Sequence, residues 1–191
     1  MRIFYLIVKY ITIVGTFLQA FFEHLTCRVY AVLVEDGRYL RANEMCGHIE
    51  HEIIRNRSVS FGVCFFPFLF NLLLGLITVS VGAVNVYYLG EFFTNSGMVN
   101  IANFLFLWMG ISCLSNLFPQ WEDALTLKGE IYGRGKSNMF VKIIAAPIFA
   151  VLYGGAFLQK YGVTLFTSVA FSFAVPSMLG TFVPSLYNAI L

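Results

Sequence analysis

The stretch SVSFGVCFFPFLFNLLLGLITVSVGAVNVYYLG, residues 58–90, decides the fold class, because its 33 positions contain no Asp, Glu, Lys, Arg or His. A helix that crosses the hydrocarbon core of a bilayer needs about 20 mostly apolar residues. Further runs without these residue types cover residues 92–121, 143–159 and 161–191. The sequence therefore predicts an all-α polytopic membrane protein.

The composition of the whole chain agrees with this fold class. Of its 191 residues, 59% are hydrophobic and 12% are charged, whereas soluble domains carry about 25% charged residues. Disorder and nucleic-acid binding are excluded as classes, because both need abundant charge. The four cysteines are scattered without a pairing rhythm, so no disulfide framework is predicted. Residues 1–191 are interpreted as a single integral membrane domain.

The uncharged runs and the N-terminus together predict about five membrane spans. The first is interrupted by Lys9, whose long side chain is expected to reach the membrane interface. It lacks a small-residue cleavage site, which favours a retained helix over a signal peptide. The fourth and fifth spans are joined by a very short connection, so a re-entrant pair is the alternative. The predicted spans are residues 3–22, 61–83, 99–118, 141–158 and 163–186.

Lysine and arginine residues set the predicted orientation. Segment 23–59 contains five arginines, segment 119–142 contains four lysines and arginines, and the loop at 84–98 contains neither type. Cytoplasmic loops carry the excess of such residues. Both basic segments are therefore predicted to be cytoplasmic, with the N-terminus outside and the C-terminus inside.

The two basic segments also receive predicted local structures. In segment 23–59, the β-prone run 29–34, a turn at Gly37 and the run 38–41 predict a small interfacial β-hairpin. Segment 119–142 contains three glycines and is interpreted as a loop.

A stripe of small residues marks the fourth predicted span. Ala146, Ala150 and Gly154 recur at every fourth position. Such a stripe favours the close approach of another helix, and chance in a span rich in Ala and Gly is the alternative.

Three polar clusters are candidates for chemistry, and the first lies at the inner end of the first span. Gln19 and Glu23 are four residues apart and share one helix face, with His24 adjacent. Zinc-protease helices place two histidines at this spacing. In the alternative interpretation, Glu23 and His24 simply end the span at the interface.

The second cluster lies within residues 44–52, where His48 and His51 stand among three glutamates. A helix would bring both histidines to one face, whereas an extended chain would point them to opposite sides. Cys27 and Cys46 would complete a closed zinc site with them. A polar interfacial loop without metal is the alternative.

The third cluster comprises Asn116, Pro119 and Asp123, where the third span meets the cytoplasm. An Asn and an acidic residue beside a hydrophobic span cost free energy unless they are paired or functional. In the alternative interpretation, the proline ends the helix and the acid balances interfacial arginine or lysine.

Taken together, the clusters resemble the layout of site-2-protease-type intramembrane metalloproteases. That family has an HExxH helix, a β-rich interfacial stretch, a second helix with Pro and Asn, and an Asn-x-x-Pro element followed by an Asp ligand to zinc. The corresponding elements here are Gln19–Glu23, residues 29–40, Pro67–Asn71, Asn116–Pro119 and Asp123. The chain is similar to a degenerate member that lacks HExxH.

Two functions follow from this resemblance, and a third from composition. Loss of the zinc helix favours a non-catalytic membrane subunit, whose cytoplasmic face at 23–57 and 119–138 would bind another membrane or cytoplasmic protein. The alternative is an intramembrane zinc-dependent hydrolase with a rearranged site. A transporter or channel subunit is the third interpretation, with Asn71, Asn85 and Asn103 lining a route for a neutral solute.

The rearranged zinc site has a specific predicted composition. Its metal ligands would come from His24, His48, His51 and Asp123, and Glu23 would act as the catalytic base. The resemblance implies zinc as cofactor in this case only, and the lipid bilayer is the surrounding medium in every case.

Overall fold

The computed structural model describes residues 2–42, 46–90, 92–93, 100–133 and 138–182. These residues form seven α-helices and one two-stranded antiparallel sheet, so a mostly helical chain with a small β element is confirmed. The helices are α1 Arg2–Ile11, α2 Ile13–Val29, α3 Arg57–Ala83, α4 Ile101–Ser115, α5 Trp121–Tyr132, α6 Met139–Lys160 and α7 Val163–Phe182. The strands are β1 Val34–Asp36 and β2 Glu50–His51, and a π-helical turn, Val84–Tyr88, extends α3.

Three helices are long and apolar enough to cross a membrane: α3 with its π-helical turn, α6 and α7. Helices α1 and α2 qualify only together, as a broken span bent by 92°, which brings the number of candidate spans to four. Helix α4 has 15 residues and is shorter than a full span. Helices are therefore confirmed as candidate membrane spans, whereas the number of five spans is not confirmed, and the bent pair has the form of either a broken span or a re-entrant loop.

The first predicted span, residues 3–22, is not one straight helix, because the chain turns sharply at Thr12. Buried polar groups satisfy the backbone carbonyls around the bend. Thr12 Oγ1 donates a hydrogen bond to the carbonyl of Val8, and Thr16 Oγ1 donates to the carbonyl of Lys9. Asn116 Nδ2 donates to Thr12 Oγ1 at 2.8 Å. Such compensation lets a helix break persist where water is absent.

Polar and apolar side chains are distributed in the reverse of a soluble protein. Asn71, Ser112 and Ser172 are fully buried at helix contacts, while large apolar side chains such as Phe140 and Ile143 are exposed. A soluble protein keeps most polar side chains at its surface. The observed distribution is the one expected of a protein surrounded by lipid, where helices associate through polar and small residues.

Helix α3 is the common packing partner of the other long helices. Its C-terminal half packs with α4 and α7 around Val79, Leu107 and Val175. Its N-terminal half packs with α5 and α6 around Leu127 and Leu152. Helices α6 and α7 therefore lie near opposite halves of α3, and each is long and apolar enough by itself to cross a membrane. The re-entrant alternative stays a prediction.

The small-residue stripe of α6 does not make the predicted helix contact within this chain. Ala150 and Gly154 are exposed, and a Cβ added at Gly154 would meet no atom within 4 Å. The neighbouring Gly155 makes the close approach instead, because a Cβ there would overlap the ring of Phe118.

The predicted β-hairpin has a different second strand. β1 pairs with β2, so Val34 lies opposite His51, and the run 38–41 is not its partner. Arg41 stabilises this pairing because its guanidinium contacts both Asp36 and Glu50. Local turn propensity at Gly37 favoured a hairpin that returns at 38–41. The Arg41 ion pairs instead stabilise the connection from β1 to β2.

The interpretation of segment 119–142 as a loop is wrong for much of its length, because α5 occupies residues 121–132 and α6 begins at Met139. Two acidic residues, Glu122 and Asp123, lie in the first turn of α5, where they complement the helix dipole. Ala124, Leu127 and Ile131 form its buried face. Gly129 lies inside this helix and Gly133 ends it, whereas Gly135 lies outside the described residues.

Candidate metal centre

Helix α2 supplies the first acidic group of the site. Glu23 and Gln19 share the buried face predicted for them, and the Glu23 side chain is only 4% exposed. The backbone N–H of Ile49 donates to Glu23 Oε1 at 3.4 Å. The carboxylate is therefore held between α2 and the segment that precedes β2.

The two histidines reach Glu23 because the chain returns from β1 to β2 across the buried end of α2. Gly47 is essential to this return, since its φ of +79° is favourable only for glycine. A Cβ at Gly47 would lie 2.7 Å from Thr16 Cγ2, so the segment also packs too closely for a side chain. His48 follows directly, and His51 lies in β2.

The connection between α4 and α5 positions Asp123, and two glutamines hold that connection. Gln19 Nε2 donates to the carbonyl of Phe118 at 2.5 Å, and Gln159 Oε1 accepts from the N–H of Phe118 at 2.9 Å. Asn71 Nδ2 donates to the carbonyl of Asn116 at 2.9 Å. The backbone entering α5 is thus fixed from three helices.

Four side chains converge at one buried point. His48 Nδ1 lies 2.8 Å from Glu23 Oε1 and 3.5 Å from Asp123 Oδ2. His51 Nε2 lies 3.3 Å from Asp123 Oδ1 and 3.9 Å from Glu23 Oε1. Ligand atoms from Glu23, His48 and Asp123 all lie within 4.8 Å of one another. Neighbouring ligands of a tetrahedral zinc ion are about 3.3 Å apart, given bonds of roughly 2.0–2.1 Å.

The histidine nitrogens in this cluster have the character of ligand atoms. His48 Nδ1 and His51 Nε2 are buried and have no hydrogen bond of acceptable geometry, although carboxylate oxygens lie nearby. His51 Nδ1 lies 2.9 Å from the carbonyl of Glu52, which can only accept. Nδ1 therefore carries the proton, and in the neutral ring Nε2 presents its lone pair to the cluster, as in many metal sites.

The two carboxylates control the protonation of the histidines in the metal-free site. Burial favours the neutral imidazole of His48, but the charges of Glu23 and Asp123 outweigh this effect and raise its pKa to about 9. Burial likewise opposes protonation of His51, yet Asp123 raises its pKa to about 9. Burial would raise the pKa of Asp123, but His48 and His51 together hold it below its usual range.

The structure brings together Glu23, His48, His51 and Asp123 but leaves His24 outside the cluster. His24 Nδ1 lies 3.0 Å from Tyr39 Oη, and Arg28 contacts its other nitrogen. Adjacent residues of a helix point about 100° apart, so Glu23 and His24 cannot both face the site. The cysteines of the proposed closed zinc site do not join the cluster either, since Cys27 packs with apolar side chains of its surroundings.

Sequence reasoning missed two residues beside the site. Lys9, expected at the membrane interface, is 1% exposed and donates to Gln19 Oε1 at 2.8 Å. Gln159 was treated as part of a short connection, yet it holds Phe118 in place. A lysine inside an otherwise apolar run was the available signal for the first; no sequence pattern marked the second.

No protein-family model matches this chain, and the comparisons with curated proteins and with solved structures found no similar protein.

Proposed function

We propose that this protein is a membrane-embedded, zinc-dependent hydrolase with a rearranged metal site. The convergence of Glu23, His48 and Asp123 at one buried point, with His51 beside both carboxylates, carries this proposal. Four ionisable side chains gathered beside the apolar helix α2 cost free energy unless a ligand or a function requires them.

The donor set fits zinc better than the other common divalent ions. Two imidazoles with carboxylates suit zinc, whereas Mg²⁺ and Ca²⁺ prefer oxygen ligands alone. A catalytic zinc site typically has three protein ligands and one open position. We assign His48, His51 and Asp123 as the ligands.

Glu23 is then available as the proton acceptor. Zinc in such a site lowers the pKa of water and polarises a carbonyl group. Glu23 Oε1 lies 2.8 Å from Nδ1 of the proposed ligand His48, so this carboxylate would be able to accept a proton from a water activated by a metal held there. The N–H of Ile49 orients this carboxylate.

The substrate class follows from the resemblance to site-2-protease-type enzymes. That resemblance implies hydrolysis of peptide bonds in membrane-embedded polypeptides. Two elements on which it rests are in contact, because Asn71 of α3 donates to the carbonyl of Asn116. The candidate catalytic groups also lie against α2, the helix that corresponds to the zinc helix in the family layout.

The orientation proposed for this site is cytoplasmic. Both basic segments, 23–59 and 119–142, would lie on the inner face of the cell membrane, with the N-terminus outside. The predicted cytoplasmic C-terminus does not fit α7, because Thr164 at its start bonds to Ser115 at the inner end of α4, whereas Val175 packs with Leu107 nearer the outer end. In this arrangement the broken pair α1–α2 counts as one span and the short α4 as another. Local thinning of the bilayer can accommodate a short span at modest cost.

Metal analysis tests the proposal. We expect purified protein to contain about one zinc per chain, and His48→Ala with His51→Ala to reduce zinc affinity at least about 100-fold, because two of three ligands are lost. His24→Ala is the matched control, since its ring contacts Tyr39 and not the cluster. A wild-type protein that binds no zinc would reject the proposal and leave the partner-binding interpretation ahead.

The role of Glu23 is tested separately with Glu23→Gln. If Glu23 is the base, we expect the variant to keep its zinc while hydrolysis of a membrane-protein substrate falls by about 10²-fold or more. A loss of zinc in this variant would instead make Glu23 a ligand and would overturn the assignment of its role.

A further inference from the structure

Lys9 is a buried cation without an anionic partner of its own. Its side chain is 1% exposed, and its ammonium donates to the neutral Gln19 Oε1 at 2.8 Å. The ring of Tyr5 lies 5.5 Å from Nζ. Within the described residues Lys9 forms no ion pair, although an isolated buried charge is expensive.

The ammonium of Lys9 lies beside the candidate metal centre. A Cβ at Gly47 would be 3.2 Å from Lys9 Nζ, so the ammonium packs against the turn that delivers His48. Its hydrogen-bond partner Gln19 lies one helical turn before Glu23 on the same buried face.

The net charge of the proposed centre indicates how this ammonium would act. A divalent ion together with the carboxylates of Glu23 and Asp123 and two neutral imidazoles has no net charge. Lys9 then adds one positive charge in a region of low dielectric, where it acts strongly over several ångströms. The complete site therefore favours a ligand that brings one negative charge.

We propose that Lys9 makes the metal centre selective for anionic ligands, by placing a positive charge beside the turn that carries His48. The chemical class is a small oxyanion, such as a carboxylate or the oxyanion that develops from a substrate carbonyl. This inference rests on the proposed metal site and adds an electrostatic role for a residue outside the ligand set. Preorganised charge of this kind stabilises developing negative charge without reorganisation.

The test uses full-length protein loaded with Co²⁺ in place of zinc, and follows its visible absorption while either acetate or neutral imidazole is added. In Lys9→Gln, whose amide can still bond to Gln19, we expect acetate affinity to fall at least about tenfold, because the charge is removed. Imidazole affinity should stay within about twofold. Lys9→Arg, which keeps the charge, should retain acetate affinity within about threefold.

Each outcome of this experiment decides the inference. Unchanged acetate affinity in Lys9→Gln, or an equal loss for acetate and imidazole, overturns the role of Lys9 alone. Lys9→Met serves as a second neutral variant, and loss of cobalt from both neutral variants makes Lys9 a structural residue, which also overturns the inference. A wild-type chain that takes up no cobalt overturns the proposed metal site itself.

Discussion

A single ring, that of His51, shows how much of the site depends on one hydrogen bond. Because the carbonyl of Glu52 accepts the Nδ1 proton, the Nε2 lone pair of the neutral ring is available where Asp123 and Glu23 converge. In the metal-free protein the same carboxylates favour the protonated ring. Metal and protons therefore compete for this site.

This competition predicts a specific pH dependence for the metal-free protein. The pKa values of His48 and His51 are raised from 6.5 to about 9, so their stabilising effect is complete below pH 6.5 and is lost as the pH rises through 9. The lowered pKa of Asp123 adds stability that is lost only in acid, below its usual pKa of 3.8. We expect the unfolding free energy of chelator-treated protein to fall by on the order of a few kcal/mol between pH 6.5 and 9. The melting temperature should fall over the same range.

Zinc should reverse this trend, because only neutral imidazole binds the ion. Thermal unfolding in detergent, with chelator and with excess zinc, measures both cases. The stabilisation by zinc should be larger at pH 8 than at pH 6. Metal-free protein that gains stability from pH 6.5 to 9 would contradict the arrangement of charges described here.

At the scale of elements, the contact between α6 and the α4–α5 connection determines where Asp123 lies. Gln159 holds the backbone of Phe118, and the ring of Phe118 fills the space left by Gly155. The opposite face of the ring contacts Phe68 of α3, at 5.7 Å between centroids. Phe118 therefore has little freedom to move.

Two adjacent glycines provide a matched test of this contact. Gly155→Ala should lower the unfolding free energy by about 1–3 kcal/mol, because the added methyl group overlaps the ring of Phe118. Gly154→Ala meets no atom within 4 Å and should leave stability unchanged or slightly raised. Thermal unfolding in detergent and zinc affinity are the measurements. Equal stability of the two variants would show that α6 does not support the connection.

At the scale of the whole molecule, many exposed side chains are apolar, and polar side chains are buried among the helix contacts. Exposed side chains such as Ile3, Phe140 and Phe166 need lipid around them. The polar groups that satisfy each other inside include Thr16 and Asn116, at 3.3 Å. A bilayer stabilises this arrangement in two ways. It covers the apolar surface, and it makes the separation of the buried polar groups unfavourable because no water is present to replace their hydrogen bonds.

Cysteine labelling tests the proposed orientation in the membrane. The native cysteines are all buried, so an introduced surface cysteine reports its own side. Arg38→Cys, at a position 77% exposed, should be protected from an impermeant maleimide in intact cells. Phe93→Cys, at a position 65% exposed in the predicted outer loop, should be labelled. Labelling of both positions from one side would contradict the proposed orientation, in which segment 23–59 and the loop at 84–98 lie on opposite sides of the membrane.

The sequence by itself determined the helical class and most helix positions. Long runs without charge leave few alternatives to apolar helices, so α3, α6 and α7 lie close to the spans predicted for them. It also identified Glu23, His48, His51 and Asp123 as candidates, because ionisable residues are few in such a chain.

Only the tertiary structure decided which candidates meet. The pairing of β1 with β2, the bend at Thr12 and the helix formed by α5 all depend on contacts between residues far apart in the chain. Local patterns favoured a shorter hairpin, a straight first span and a loop, because propensity and glycine content describe neighbours along the chain only. His24 lies outside the cluster and Lys9 is buried for the same reason, because the packing partners of a helix determine which of its faces is buried.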